Sequence, residues 1–190
     1  VYKRQGYRRA KDCKAETSVE IFESTPVPEP LVADGVAVRT CDIRLAVQPA
    51  LAGIKTLNRL EQVLARAEWT DPQLFEGLTL DTAGRLICGT MSNVFAVINS
   101  TVCTPALNRC GVAGVMRAQV LQLLRDDGVK ISVCAIDGRK LDEASEMFLT
   151  NSQFGVLPIR LLDDTPLKVG PITRRAQKLA AANGVPECSP

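Results

Sequence analysis

A chain of 190 residues, 46% hydrophobic and 23% charged, is long enough for one globular domain with a substantial core. Its 23 basic and 21 acidic residues are interspersed to a formal net charge of +2, with no basic block and few aromatics, which argues against nucleic acid as a partner. Histidine is absent, which excludes Ser-His and Cys-His nucleophile pairs, histidine bases and histidine metal ligands from these residues; lysine, carboxylates or a cofactor must carry any chemistry.

Val1–Gln5 lack an initiator Met and read as foreign to the gene, a sequencing scar or a vector-derived tag. Residues 6–25 read as the remnant of a small N-terminal domain, a basic loop up to residue 15 followed by a short strand at Ser18–Phe22. Pro26, Pro28 and Pro30 stop that strand and make residues 26–34 the expected linker to a large domain at 35–190.

In the large domain Val36, Val38, Ile43 and Leu45 mark strands that end before Pro49. LAGIKTLNRLEQVLAR (Leu51–Arg66) then places Lys55 on a small-residue turn directly before an amphipathic helix, with apolar Leu57, Leu60, Val63, Leu64 and Ala67. A lysine beside a buried helix can be desolvated and act as an amine nucleophile. Position alone favours an ordinary solvated lysine, so the other segments must decide.

Glu76–Asp81 and Arg85–Cys88 read as a hairpin turning at Asp81–Gly84, and Asn93–Ile98 with Val102–Thr104 as a second one turning at Asn99–Ser100. Gly114 opens a helix, VMRAQVLQLLRDD, that Gly128 stops. Lys130–Ile136 is an expected strand, Leu141–Ser145 a short helix, Met147–Asn151 and Val156–Leu161 two more strands, and Pro171–Asn183 a final helix before Gly184. The fold class is therefore α+β, or mixed α/β with mostly antiparallel strands, rather than a doubly wound parallel sheet.

The seven cysteines lack a CxxC pair, so neither a disulfide framework nor a zinc site is signalled and no metal is expected. No apolar run is long enough to span a bilayer, no leader pattern is present, and the cytoplasm is the expected location, with no membrane partner.

Four segments stand in order: GIKTLNRLEQVLAR, CGTMSNVF, CTPALNRCGVAGVMR and FLTNSQFGVLP. Together they resemble the class IV aminotransferase family, the fold-type IV pyridoxal phosphate enzymes, from about Gly6 to about Ile159. Within it the KxLNRLEQVLAR form and the Thr150-Asn151 pair look more like the aminodeoxychorismate lyase branch than like the aminotransferases.

The resemblance implies pyridoxal 5'-phosphate (PLP) as cofactor, with Lys55 as the lysine that bears it and then serves as the base. It assigns Val115 and Met116, at a helix start whose free N–H groups suit a phosphate, and Ser152 to the cofactor phosphate. Cys88 and Asn93 are further cofactor residues. At the position of Cys88 the family carries a glutamate that contacts the pyridine nitrogen, and a thiol is a much weaker partner for a protonated ring.

For a substrate with two carboxylates the resemblance points to Arg44 and Asn151; a surface arginine and a turn-capping asparagine are the plain alternatives. Arg59 reads as a structural ion pair, and Asp142, Glu143 and Glu146 as a solvated helix face. The implied reaction converts 4-amino-4-deoxychorismate to 4-aminobenzoate and pyruvate, a step toward folate, in a homodimer. A branched-chain or D-amino-acid aminotransferase, and a relic that binds without turnover, are the alternatives.

Overall fold

The computed structural model describes residues 11, 12, 14–23 and 25–189. The readings made for residues 1–10, Val1–Gln5 among them, lie outside the described residues.

In chain order the elements are helix α1 (Glu29–Asp34), strand β1 (Val36–Leu45), helix α2 (Leu60–Arg66), and strands β2 (Leu74–Asp81), β3 (Leu86–Gly89), β4 (Asn93–Ile98) and β5 (Thr101–Pro105). Helix α3 (Val115–Asp126), strand β6 (Ile131–Cys134), helix α4 (Gly138–Asp142), strands β7 (Ala144–Asn151), β8 (Gly155–Leu162) and β9 (Thr165–Pro166), and helix α5 (Pro171–Ala182) complete them. The strands form one mixed sheet in the order β3-β2-β1-β8-β7-β4-β5-β6, with β9 on β8. Pairing is parallel at β1–β2, β1–β8 and β5–β6 and antiparallel elsewhere. Leu86 N, on the β3 edge, donates to Ile136 O just beyond β6 at 2.8 Å, so the sheet curls until its two edges meet.

Curling buries both faces of the central strands. Val94, Ala96 and Ile98 of β4 join Met147, Leu149, Leu157 and Ile159 on one face. Phe95 and Val97 alternate to the other, where Phe148 and Val156 meet Val120, Leu121 and Leu124 of α3 and Ala176 and Ala180 of α5. This two-sided burial explains the continuous apolar run in β4. Phe95 and Phe148 stack at 4.8 Å between centroids, and burying a side chain of this kind contributes about 1.5–3 kcal/mol.

Both expected hairpin turns form. Asn99 and Ser100 take positive φ, and the Asp81 carboxylate accepts from Ala83 N, Arg85 N and the Arg85 guanidinium.

Several expectations are corrected. Ser18–Phe22 is irregular and exposed, because no neighbouring strand pairs with it among the described residues. Residues 29–34, within the expected linker, are helical, with Val32 in the core and Val27 and Leu31 packed against it; Pro30 lies in the first turn, where a missing N–H costs nothing. The short helix lies earlier than Leu141–Ser145, since the Asp137 carboxylate accepts from Lys140 N and starts it at Gly138. Glu146 is not on a solvated helix face. It is buried in β7, and its carboxylate accepts from Thr173 N and Oγ1 at 2.8 Å, capping the start of α5. Asp142 and Glu143 are exposed.

Candidate active site

A cavity of about 630 Å³ opens where four segments converge: the lysine loop before α2, the β3–β4 turn, the loop entering α3, and the β7–β8 turn. Lys55, Cys88, Asn93, Val115, Met116, Asn151 and Ser152 all line it. Arg44 does not. Leu45 turns inward against Ile87, Cys88 and Cys110, so its neighbour Arg44 faces the other way, exposed, with Nη1 donating to Cys41 O.

The lysine loop is stitched to the loop before α3. Gly53 N donates to Gly111 O at 2.9 Å, Ala113 N to Gly53 O at 3.1 Å, and Gln48 N to Arg109 O at 2.9 Å, so Gly53 and Val112 form a parallel bridge. Lys55 follows two residues later and is exposed. The buried, desolvating helix expected beside it is absent: α2 starts only at Leu60 and buries Ala65 alone. Leu60 is 63% and Val63 61% exposed, and Leu57 and Leu64 are exposed too.

At the other end, α3 starts at Val115 with Gly114 as N-cap and no side-chain cap, which leaves its first N–H groups to the cavity. Asn93 positions this start, with Nδ2 donating to Val112 O at 2.8 Å and Oδ1 accepting from Gly114 N at 3.2 Å. A Cβ on Gly114 would collide with that oxygen, so the close approach needs glycine. Arg117 secures the first turn from beneath, donating from Nε to Thr104 Oγ1 and from Nη2 to Pro105 O; its burial lowers its pKa.

Cys88 is buried, with Sγ 3.5 Å from Thr79 Oγ1. Burial pushes its thiol up to about 12, opposed by the Thr79 hydroxyl and by the Arg59 charge, so it faces the cavity as a neutral group at physiological pH.

Three participants escaped the sequence reading. Glu76, fully buried, accepts from Gly77 N, Thr90 N, Thr90 Oγ1, Met91 N and Ser92 Oγ at 2.5–3.1 Å, which shapes the β3–β4 turn but leaves no carboxylate for the cavity. Its signal was a single acid inside the apolar run LFEGL. Thr150 lines the cavity, and its buried Oγ1 has no hydrogen-bond partner among the described residues; register sets Thr150 opposite Asn93. Arg59 lines the cavity and makes no ion pair among the described residues, contrary to expectation, because no carboxylate is folded next to it. Asn151 caps its turn by accepting from Gln153 N and Phe154 N. Among the described residues no group of three or more cysteines and acids is arranged for a metal, and no helix is long and apolar enough to cross a membrane.

Residues 1–162 match the family model described as amino-transferase class IV. The chain belongs to the class IV aminotransferase family. It is 40% identical over 147 residues to the aminodeoxychorismate lyase of Vibrio harveyi, covering 75% of this chain and 54% of that protein, so this family member spans about half the length of that relative. The crystal structure of 4-amino-4-deoxychorismate lyase from Pseudomonas aeruginosa superposes with a TM-score of 0.81 at 46% identity, covering 83% of this chain and 58% of that one. An aminotransferase from Brucella abortus, crystallised with PLP bound, superposes with a TM-score of 0.69 at 28% identity, covering 83% and 56%.

Proposed function

We propose that this family member is the cofactor-bearing part of a PLP-dependent lyase that converts 4-amino-4-deoxychorismate to 4-aminobenzoate and pyruvate, a step toward folate. The observation that carries the proposal is the pairing of Lys55 with the uncapped start of α3 on one cavity, stitched together through Gly53 and Val112. The residues present fit the cofactor. The free N–H groups of α3 suit its phosphate, Ser152 lines the same cavity, and the buried Thr150 hydroxyl has no partner among the described residues.

When bound, PLP supplies an electron sink for the bond that breaks at the amino-bearing carbon. Lys55 would hold the cofactor covalently and, once its Nζ is released, take the proton from that carbon. The neighbouring ring C–O bond then breaks, the departing enolpyruvate takes up a proton to become pyruvate, and the ring is left aromatic, so neither water nor an oxidant is consumed. Asn93 keeps the helix start in place, and Cys88 presents a neutral thiol where the family's glutamate would stand. That substitution favours the lyase over transamination, because expelling pyruvate gains aromaticity and depends less on a protonated pyridine ring. A homodimer belongs to the same proposal, since a second copy would give the exposed apolar residues around α2 a buried place.

The test uses the full-length protein of which this chain is part. With 4-amino-4-deoxychorismate it should form 4-aminobenzoate and pyruvate in equal amounts. Glutamate formed from 2-oxoglutarate and a branched-chain or D-amino acid, without 4-aminobenzoate, would make it an aminotransferase, the second reading that the Brucella neighbour supports. A protein that acquires cofactor absorbance yet forms neither product would be a binding relic.

A further inference from the structure

Among the described residues, Lys55 and Arg59 are the only charged ones lining the cavity, and no Asp or Glu joins them. With the positive end of α3 also facing this space, the site favours a ligand carrying more than one negative group. Helix α3 accounts for one such group. Arg59 is left for another.

Its guanidinium is half-buried and already oriented: Nε donates to Thr56 O at 2.9 Å and Nη2 to Thr56 Oγ1 at 3.1 Å. A guanidinium has five N–H groups in a planar fork, so donors remain on the side away from Thr56. Three arginines of the fold find anions within the chain: Arg85 meets Asp81, Arg175 meets Asp127, and Arg39 meets Glu68. Arg44, Arg66, Arg117 and Arg174 bond to neutral acceptors away from the cavity. Among the described residues Arg59 has only neutral acceptors, and it alone of these arginines lines the cavity, where its charge is felt by the Cys88 thiol. Fixing the fork in advance removes the rotamer cost that a free arginine would meet on binding.

We propose that Arg59 is a ligand-binding residue, its guanidinium taking an oxyanion of the molecule held beside Lys55. The chemistry is that of a carboxylate on the substrate or of an oxyanion on the cofactor. This deepens the proposed function and rests on it for the identity of the ligand.

The experiment compares full-length wild type with Arg59→Gln and Arg59→Lys, each first shown to melt within a few degrees of wild type. PLP affinity is titrated for each protein. The PLP-loaded proteins are then titrated with 4-aminobenzoate and with aniline, which lacks the carboxylate. If the substrate carboxylate is the partner, Arg59→Gln weakens 4-aminobenzoate about tenfold or more, leaves aniline and PLP within about twofold, and Arg59→Lys restores part of the loss. If the cofactor oxyanion is the partner, the tenfold loss falls on PLP itself. Unchanged affinity for both PLP and 4-aminobenzoate, or an equal loss for 4-aminobenzoate and aniline with PLP affinity retained, would overturn the inference. Wild type that makes no 4-aminobenzoate while Arg59→Gln still weakens the carboxylate probe would remove the proposed reaction and leave the role of Arg59 standing.

Discussion

The wall of the cavity formed by residues 88–93 and 111–116 is held by polar bonds that close within the chain and exposes only Met91 and Val115 among its large apolar side chains, whereas the second wall, segment 51–62, exposes four in succession along its loop and helix start. In the first, the Glu76 carboxylate gathers five donors and Asn93 ties the turn to the start of α3. In the second, main-chain bonds hold Gly53, but Leu51, Ile54, Leu57 and Leu60 beyond it are exposed. The side that carries the start of α3 is thus tied together by bonds of its own, while the side that carries the amine and the guanidinium leaves most of its apolar residues exposed.

The largest expected effect breaks the second wall at its reactive group. Lys55→Ala should lower turnover by about 100- to 10,000-fold or more, the range for removing a positioned base, and abolish borohydride-trapped cofactor while leaving the melting temperature nearly unchanged. Retention of trapped cofactor would place the attachment elsewhere. Glu76→Ala strikes the first wall instead. It strands buried donors and should cost about 3 kcal/mol in denaturant unfolding, with weaker PLP retention as a consequence. A loss below about 1 kcal/mol would show that the turn holds without its carboxylate.

Cys88→Glu places an acid where this wall has none, and should raise turnover on the order of tenfold in parallel lyase and transaminase assays, with the larger gain in transamination. No gain in either would separate Cys88 from the ring nitrogen. The smallest effect on folding is expected from Leu60→Ser, within about 0.5 kcal/mol of wild-type stability because the residue is exposed. Sedimentation of the full-length protein should nevertheless show weaker self-association; an unchanged dimer would move the interface away from α2.

Local chemistry made part of the first wall readable from sequence. The hairpin turns and the helix opened by Gly114 follow from residues close together in the chain, whereas Lys55, Cys88, Asn93 and Ser152 were singled out by the resemblance to the class IV aminotransferases, and all four residues line one cavity. What escaped depends on distant partners. Glu76 finds Thr90, Met91 and Ser92 only because β2 and β3 pair, and Glu146 meets Thr173 only when α5 docks. The spacing of Leu57, Leu60, Val63 and Leu64 reveals an apolar stripe but not whether this chain covers it, and Arg59 looked paired because no local pattern tells a salt bridge from a ligand site.

The bridge between Gly53 and Val112 acts as a ruler. Main-chain atoms hold the lysine loop against the loop that enters α3, so the backbone separation between Gly53 and the start of α3 does not depend on which side chains decorate either loop. Gly53, at φ +81, is the position where a side chain would be strained. The surrounding residues are therefore free to diverge and retune which molecule is accepted, while the backbone spacing between the two loops stays the same.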